Sequence, residues 1–149
     1  MKSVHIAVHR QIACPVGDVF ELLKDSEAMG KAAGMPMTLI VEGEDRDGPG
    51  AVRRVGPPVV GVEETIIEVI PNELIRYRIS RNGGPIKNYE AQMRVEAKNG
   101  GTELSWIMDF EVPWALSGPL RITLPKVAGF ALKRLGKQLE SGQAVPSAS

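Results

Sequence analysis

Apolar and polar residues alternate along much of this chain, and the alternation predicts a fold rich in β-strands. Near the N-terminus, Val4, Ile6 and Val8 fall on even positions, which is the two-residue period of a strand with one buried face. The alternation is clearest over residues 86–98 and 102–112, where bulky apolar side chains occupy one parity and charged side chains the other. Between these segments and the first strand, further strands are predicted at about 36–43, 50–56, 61–70 and 73–81. Short turns rich in Gly, Pro and Asn separate them, so we predict an antiparallel meander.

Helical signals stand on either side of this strand-rich part. Pro15 and Asp18 are typical of a helix start. Asp25 is a suitable N-cap for a second short helix, which Gly34 would close. Towards the C-terminus, apolar residues recur at the spacings of three and four that indicate an amphipathic helix, namely Leu120, Leu124, Val127, Ala131, Leu135 and Leu139.

The boundaries of the last helix can also be predicted. Ser117 to Pro119 resemble a helix start, and Gly142 a helix end. Pro125 lies inside the pattern and is expected to kink or divide the helix, because proline lacks the backbone donor. Residues 143–149 are small and polar, so we predict a single domain over 1–142 followed by a disordered tail.

Composition narrows the class of protein. The 149 residues contain 18 Lys+Arg and 18 Asp+Glu, 43% hydrophobic residues and one cysteine. A chain of this length can form one core without disulfides or metals, and its zero net charge argues against nucleic-acid binding. No apolar run reaches the roughly 18 residues of a membrane span, and polar residues interrupt the N-terminal segment where an export signal would be apolar. We therefore expect a cytoplasmic protein.

Metal and nucleophile chemistry finds little support. His5 and His9 share one face of a strand, but about 13 Å would separate them at roughly 3.3 Å per residue, too far for one metal ion. Cys14 has no Cys or His at metal-ligand spacing and is expected to be an inert thiol near a helix start. No metal site and no cofactor are expected.

Adjacent charged residues on two strands leave their orientations open. Arg53 and Arg54 must face opposite sides of the sheet, and so must Glu63 and Glu64. Glu64, like Glu68, shares the parity of apolar neighbours and is favoured as the inward carboxylate, where desolvation would raise its pKa. The alternative is a carboxylate that pairs with an arginine on a neighbouring strand.

The order of elements, together with several segments, resembles a known superfamily. These segments are residues 12–15 (IACP), 19–25 (VFELLKD), 48–53 (GPGAVR), 71–77 (PNELIRY), 100–106 (GGTELSW) and the helix 132–139. Over about residues 3–141 the chain resembles the START-like superfamily, also called SRPBCC or Bet v 1-like, and within it the polyketide cyclase/dehydrase-type branch. This resemblance implies an α+β helix-grip fold: a curved seven-stranded antiparallel sheet around a long C-terminal helix, with two short helices after strand 1 and a cavity between sheet and helix. It also favours Arg53 over Arg54 as the inward arginine.

The resemblance implies a binding module, a carrier or sensor that encloses a small hydrophobic or aromatic molecule. That ligand is the expected partner; nucleic acid and a membrane span are not expected, and a homodimer is a further option. Arg53 and Tyr89 would orient the ligand. The full set of expected ligand-binding residues is Arg53, Tyr77, Tyr89, Met93, Trp106, Met108, Phe110 and Phe130.

Three alternatives stay open at this point. The aromatic and methionine residues could simply fill a core. The protein could be a polyketide cyclase/dehydrase-like enzyme that moves protons with the catalytic candidates Arg53, Glu64 and Tyr89. It could also be a protein-interaction module similar to the Hsp90-activator or quinone-associated branches. The loop 56–61, which contains two prolines between glycines, could act as a lid over the cavity or could be a plain tight connection between two strands.

Overall fold

A computed structural model describes residues 1–142, and the tail predicted for 143–149 lies outside the described residues. The elements are β1 (Lys2–Ile12), α1 (Val16–Lys24), α2 (Ser26–Ala33), β2 (Met37–Val41), β3 (Val52–Val55), β4 (Val62–Ile70), β5 (Leu74–Arg81), β6 (Lys87–Lys98), β7 (Gly101–Val112) and α3 (Trp114–Glu140). The seven strands form one antiparallel sheet in the order β1-β7-β6-β5-β4-β3-β2. The predicted helix-grip fold is confirmed, and the strand bounds differ from the prediction by no more than about two residues.

The alternating pattern determines which face of the sheet is buried. On β6, Ala91 and Met93 face the core, and on β7 Leu104, Trp106 and Met108 do the same. The charged residues between them lie on the outer face, where Glu90 stands opposite Asp109 and Glu96 opposite Glu103 in the strand register. The interior beneath β6 and β7 is therefore apolar because one parity of both strands is apolar.

The two short helices begin and end as their sequence signals predict. The Asp25 carboxylate accepts a hydrogen bond from the backbone N–H of Ala28 at 3.0 Å, which caps α2. Gly34 closes the helix with φ of 75°, a left-handed conformation that favours glycine. A Cβ there would lie 2.8 Å from the Arg134 Nε atom, so the absence of a side chain also lets α3 approach.

The last helix differs from the prediction at its start and at Pro125. It begins at Trp114 rather than at Ser117, whose hydroxyl donates to the Trp114 carbonyl at 2.8 Å within the first turn. It also continues through Pro119 and Pro125, so Pro125 does not divide it. This helix, like the others in the described part of the chain, is not long and apolar enough to cross a membrane.

The buried face of α3 consists mainly of small residues and leucines, and two large residues expected to face the interior lie outside it. The buried positions are Ser117, Ala128, Ala131, Leu132, Leu135 and Gly136. Val127 is 52% exposed and Phe130 is 61% exposed, so the expected placement of both was wrong. The small residues let the helix pack closely on β1, since a Cβ on Gly136 would lie 2.8 Å from Arg10 Nε. Phe130 instead projects outward, where the Arg134 guanidinium lies 5.9 Å from its ring.

Candidate functional site

A buried ion pair joins β3 and β4 in the interior. Arg53 lies directly opposite Glu64 in the strand register, and its Nε donates to Glu64 Oε1 at 2.9 Å. The two side chains are only 3% and 11% exposed. Arg54 and Glu63 take the opposite face and are partly exposed. Both expectations for Glu64 therefore hold: it is the inward carboxylate, and it pairs with an arginine on the neighbouring strand.

Glu68 has the same parity as Glu64 but lies on the other face. The pairing of β4 with β5 shifts register between Ile66 and Glu68, which is the mark of a β-bulge. Beyond this bulge Glu68 contacts Arg76 at 3.1 Å on the outer face, with both side chains more than a third exposed. Only the part of β4 before the bulge contributes a carboxylate to the interior.

Aromatic side chains extend the ion pair into a polar network. The Arg53 guanidinium lies 4.6 Å from the centroid of the Tyr77 ring, a cation–π arrangement. The indole N–H of Trp106 donates to the Tyr77 hydroxyl at 2.8 Å. The Tyr89 ring packs beside two of these aromatic rings, with its centroid 6.2 Å from that of Tyr77 and 5.8 Å from that of Phe110. The network therefore connects β3, β4, β5, β6 and β7.

Burial shifts the protonation equilibria of this network. Desolvation raises the pKa of Glu64 above its ordinary value, although the charge and hydrogen bond of Arg53 oppose the rise. Desolvation likewise raises the pKa of Tyr77, and nearby Glu64 adds to the rise. The pKa of Tyr89 is also raised, first by desolvation and then by Tyr77. The tyrosines are therefore neutral hydroxyl groups at pH 7, and Glu64 is the carboxyl group best placed to exchange a proton here.

The space beside this network is small in the present conformation. It is lined by Met29, Ala33, Met35, Met37, Arg53, Tyr77, Met93, Trp106, Ala131 and Leu135. The volume open to the centre of a water molecule is about 10 Å³, whereas pockets for drug-sized ligands measure about 300–1,000 Å³. The cavity that the resemblance implies is therefore reduced to this small space, because methionines and small helix residues fill the interior.

The structure brings most of the predicted binding residues together. Arg53, Tyr77, Met93 and Trp106 line the small space. Met108 and Phe110 are buried on β7, and Tyr89 is half-buried between Tyr77 and Phe110. Phe130 lies on the outer face of α3 and is not part of this interior.

Other residues at the space were missed by the sequence analysis. Ser26, at the start of α2, is 2% exposed, and its Oγ accepts from Arg53 Nη1 at 3.4 Å. Met29, Met35 and Met37 form the wall contributed by α2, β2 and the segment between them. The sequence signal that could have found them is a local enrichment of methionine, because these three fall within nine positions of a chain with only six methionines. Unbranched methionine side chains adapt easily to different shapes.

The histidines and the cysteine lie elsewhere. His5 Nδ1 is 2.6 Å from Asp109 Oδ1, and His9 Nδ1 is 2.7 Å from Ser105 Oγ, both pairs joining β1 to β7 on the outer face. The Cys14 thiol donates to the Leu139 carbonyl at 3.3 Å, and burial raises its pKa, which disfavours the reactive thiolate. Within residues 1–142, no three His, Cys, Asp or Glu side chains are grouped so as to hold a metal ion.

Solved structures share this fold at low sequence identity. A protein from Nitrosospira multiformis superposes with a TM-score of 0.74 at 16% identity, covering 95% of this chain and 98% of that one. A protein from Thermus thermophilus, TTHA0849, gives a TM-score of 0.71 at 18% identity, with 95% and 100% covered. Ara h 8.0201 gives 0.67 at 16% identity, with 93% and 99% covered. These similarities show the fold alone.

The family follows from the sequence itself. No curated protein matches the chain. Residues 3–140 match the family described as polyketide cyclase / dehydrase and lipid transport. The match spans nearly all of the described residues and agrees with the helix-grip architecture and its apolar interior. The chain therefore belongs to the polyketide cyclase / dehydrase and lipid transport family of the START-like superfamily.

Proposed function

We propose that this protein is a carrier or sensor that binds a small hydrophobic or aromatic molecule between the sheet and α3. One observation carries the proposal: the Arg53–Glu64 pair is buried in an interior otherwise lined by methionine, aromatic and aliphatic side chains. Burying two charges is costly, and apolar residues of similar volume often serve stability as well or better. A role in ligand recognition accounts for keeping the pair, because apolar pockets obtain specificity from a few placed polar groups.

The site chemistry favours a ligand with an apolar body and one polar end. Met93 and Trp106 would contact the body, while the Arg53 guanidinium would bind a carbonyl, phenol or carboxylate oxygen. Tyr89 lies beside Tyr77 and would orient the ligand from the β6 side. A cytoplasmic location belongs to this proposal, and the unpaired Cys14 is consistent with it.

Ligand binding would require the interior to open. The methionine wall is the part best suited to yield, because Met29, Met35 and Met37 lie on α2, on the segment after it and at the start of β2. β2 is also one of the two edge strands of the sheet, so it has a strand partner on one side only. Displacing these flexible side chains costs less than moving β-branched or aromatic residues would.

The probe 1-anilinonaphthalene-8-sulfonate tests the proposal, since it combines an aromatic body with an anionic end. We expect saturable binding with a rise in melting temperature, and a loss of about tenfold or more in affinity for Arg53→Met/Glu64→Gln, which removes a charge-assisted contact without leaving a lone buried charge. Arg76→Met/Glu68→Gln is the matched control on the outer face and should bind as wild type does. Native mass spectrometry of freshly purified protein should also show a bound small molecule. Equal affinity for both double variants would contradict the proposal.

A second candidate function is an enzyme of the cyclase/dehydrase type, and the raised pKa of Glu64 favours it. A carboxyl group with a raised pKa beside an arginine and two tyrosines can take up or release a proton during enolisation. With a poly-β-keto thioester as substrate, Glu64→Gln should slow product formation by about 10²–10⁴-fold. Tyr89→Phe tests the neighbouring hydroxyl. An unchanged product distribution in Arg53→Met/Glu64→Gln/Tyr89→Phe would mean that the interior only holds the poly-β-keto substrate and does not catalyse proton transfer.

A further inference from the structure

The loops at one end of the sheet form a single rim. In the antiparallel order, β3, β5 and β7 end where β4 and β6 begin. The β3–β4 loop (56–61), the β5–β6 turn (82–86) and the first residues of α3 (113–116) therefore lie at the same end. We call these three segments the rim. They reach across four strand spacings of about 4.8 Å each, a width that can meet a flat surface.

The rim exposes large apolar side chains. Val59 is 88% exposed, Val60 is 68% exposed and Trp114 is 80% exposed, with Leu116 close behind on α3. A single exposed apolar residue is ordinary, but two valines at a loop tip together with an exposed tryptophan indicate an interaction surface. Tryptophan and valine on a protruding edge suit the boundary between water and lipid chains.

The valine loop is held in a strained and outward conformation. Val59 has φ of 74°, which a β-branched residue rarely adopts. The loop is fixed by the Val60 N–H, which donates to the Pro58 carbonyl at 2.9 Å, and by Asn82, whose side-chain amide donates to the carbonyls of Val59 and Gly61 at 3.0 and 3.1 Å. Strain of this kind persists where the surroundings impose it and is concentrated at functional sites. The loop is thus preformed with its apolar tip in water, rather than folded over the interior.

Charge differs between the two ends of the sheet. At the rim end, the exposed basic residues are Lys2, Arg81, Lys87 and Arg121, with Glu63 and Glu111 as the nearby acids. At the opposite end, a surface groove of about 470 Å³ is lined by Glu21, Asp25, Glu44, Asp45 and Asp47 with one lysine, Lys24. A negatively charged surface would attract the rim and repel the opposite end, which orients the molecule before contact.

We propose that the rim docks on an anionic lipid bilayer. Val59, Val60 and Trp114 enter the headgroup region, and the basic residues around them lie against lipid phosphates. This interaction surface is distinct from the interior site and does not depend on what that site binds. The acidic groove stays on the side away from the membrane.

The two tryptophans make the docking measurable. Trp106 is buried and Trp114 is exposed, so vesicles of phosphatidylcholine and phosphatidylglycerol should shift the emission of Trp114 to shorter wavelength. Trp114→Phe should abolish that shift, whereas Trp106→Phe should keep it. Vesicles of phosphatidylcholine alone, or added salt, should weaken binding because both reduce the electrostatic attraction.

The decisive variant is Val59→Asp/Val60→Asp, followed by vesicle co-sedimentation. We expect a loss of about tenfold or more in partitioning, because two apolar contacts are replaced by charges that anionic lipid repels. Aspartate tolerates positive φ better than valine, so this variant should melt at or above the wild-type temperature. Val41→Asp, at a valine that is 52% exposed near the acidic end, should partition nearly as wild type does.

Three outcomes would overturn the proposal. They are undiminished partitioning of Val59→Asp/Val60→Asp, equal partitioning onto neutral and anionic vesicles, and no partitioning of the wild type onto either. The last would direct attention to a protein partner for the rim.

Discussion

Two glutamates of β4 form ion pairs of nearly the same length with arginines of the neighbouring strands, but one pair is buried and the other is exposed to solvent. Arg53 Nε lies 2.9 Å from Glu64 Oε1 in the interior, whereas Arg76 Nη1 lies 3.1 Å from Glu68 Oε1 on the outer face. Each pair joins neighbouring antiparallel strands in register. The bulge after Ile66 is what separates them, because without it the two glutamates would share one face. The same residue types thus provide a candidate recognition group inside and a solvated pair outside.

The largest expected difference is in stability. Glu64→Gln should lower the free energy of unfolding by about 3–5 kcal/mol, because the Arg53 guanidinium cannot lose its charge and would stay buried without an ionic partner. Glu68→Gln should cost about 0–1 kcal/mol, as exposed pairs do. Urea unfolding at pH 7 measures both. The double variant Arg53→Met/Glu64→Gln should recover most of the loss, and similar costs for the two single variants would remove the distinction between the pairs.

Two hydrogen bonds of equal length should likewise contribute more to stability in the interior than on the outer face. Tyr77→Phe would leave the indole N–H of Trp106 buried without an acceptor and should cost about 1–3 kcal/mol. On the outer face, the Thr65 hydroxyl donates to Ser80 at 2.8 Å, the same length as the Trp106–Tyr77 bond. Ser80→Ala should change stability by about 0.5 kcal/mol or less. Thermal unfolding of the two variants measures both stability costs. Equal losses of stability would show that burial does not increase the contribution of these hydrogen bonds.

The free energy of unfolding should depend on pH with the sign that a raised pKa of Glu64 requires. Because its pKa is higher in the folded chain than in the unfolded chain, the folded state binds more protons above the ordinary glutamate pKa. The stability of the wild type relative to Glu64→Gln should therefore fall as pH rises from the ordinary glutamate pKa through the raised one. Glu68→Gln, measured in parallel, controls for the loss of one negative charge. A relative stability that rises over this range would mean that Arg53 outweighs desolvation.

Salt should produce the smallest effect. At about 1 M salt the screening length is about 3 Å, so the exposed Arg76 contacts with Glu68 and Glu90 should lose most of their contribution. The difference between wild type and Glu68→Gln, already below about 1 kcal/mol, should then approach zero. The cost of Glu64→Gln should persist, because both side chains of the pair are almost entirely buried. A parallel decline of both costs in urea unfolding would contradict this.

The sequence predicted the fold in detail because each element has a local signal. Alternation identified the buried faces of β6 and β7, and the Asp25 cap and Gly34 marked the ends of α2. The choice of Arg53 over Arg54 and of Glu64 over Glu63 also followed from parity and resemblance. In these cases, a period of two or a capping group leaves few alternatives.

The errors arose where tertiary packing overrides local pattern. The same parity was assigned to Glu64 and Glu68, but a bulge has no clear sequence signature here. Val127 fits the helical repeat and Phe130 was expected at the ligand, yet α3 packs through Ala128, Ala131 and Gly136 because close approach to β1 needs small residues. The volume of the interior also could not be predicted, since it depends on how three methionines from α2, β2 and the segment between them pack against α3.

The pairing of β1 with β7 has a consequence for synthesis. His5 and Asp109 face each other across this ladder although 104 positions separate them. At about 5–20 residues per second, the ribosome needs roughly 5–20 s after β1 before it has made its partner strand. During that time the first strand has no neighbour, and α3, which packs on it, has not yet been made. The sheet can therefore be completed only after β7 has been made, and contacts between such distant parts of a chain favour slow folding.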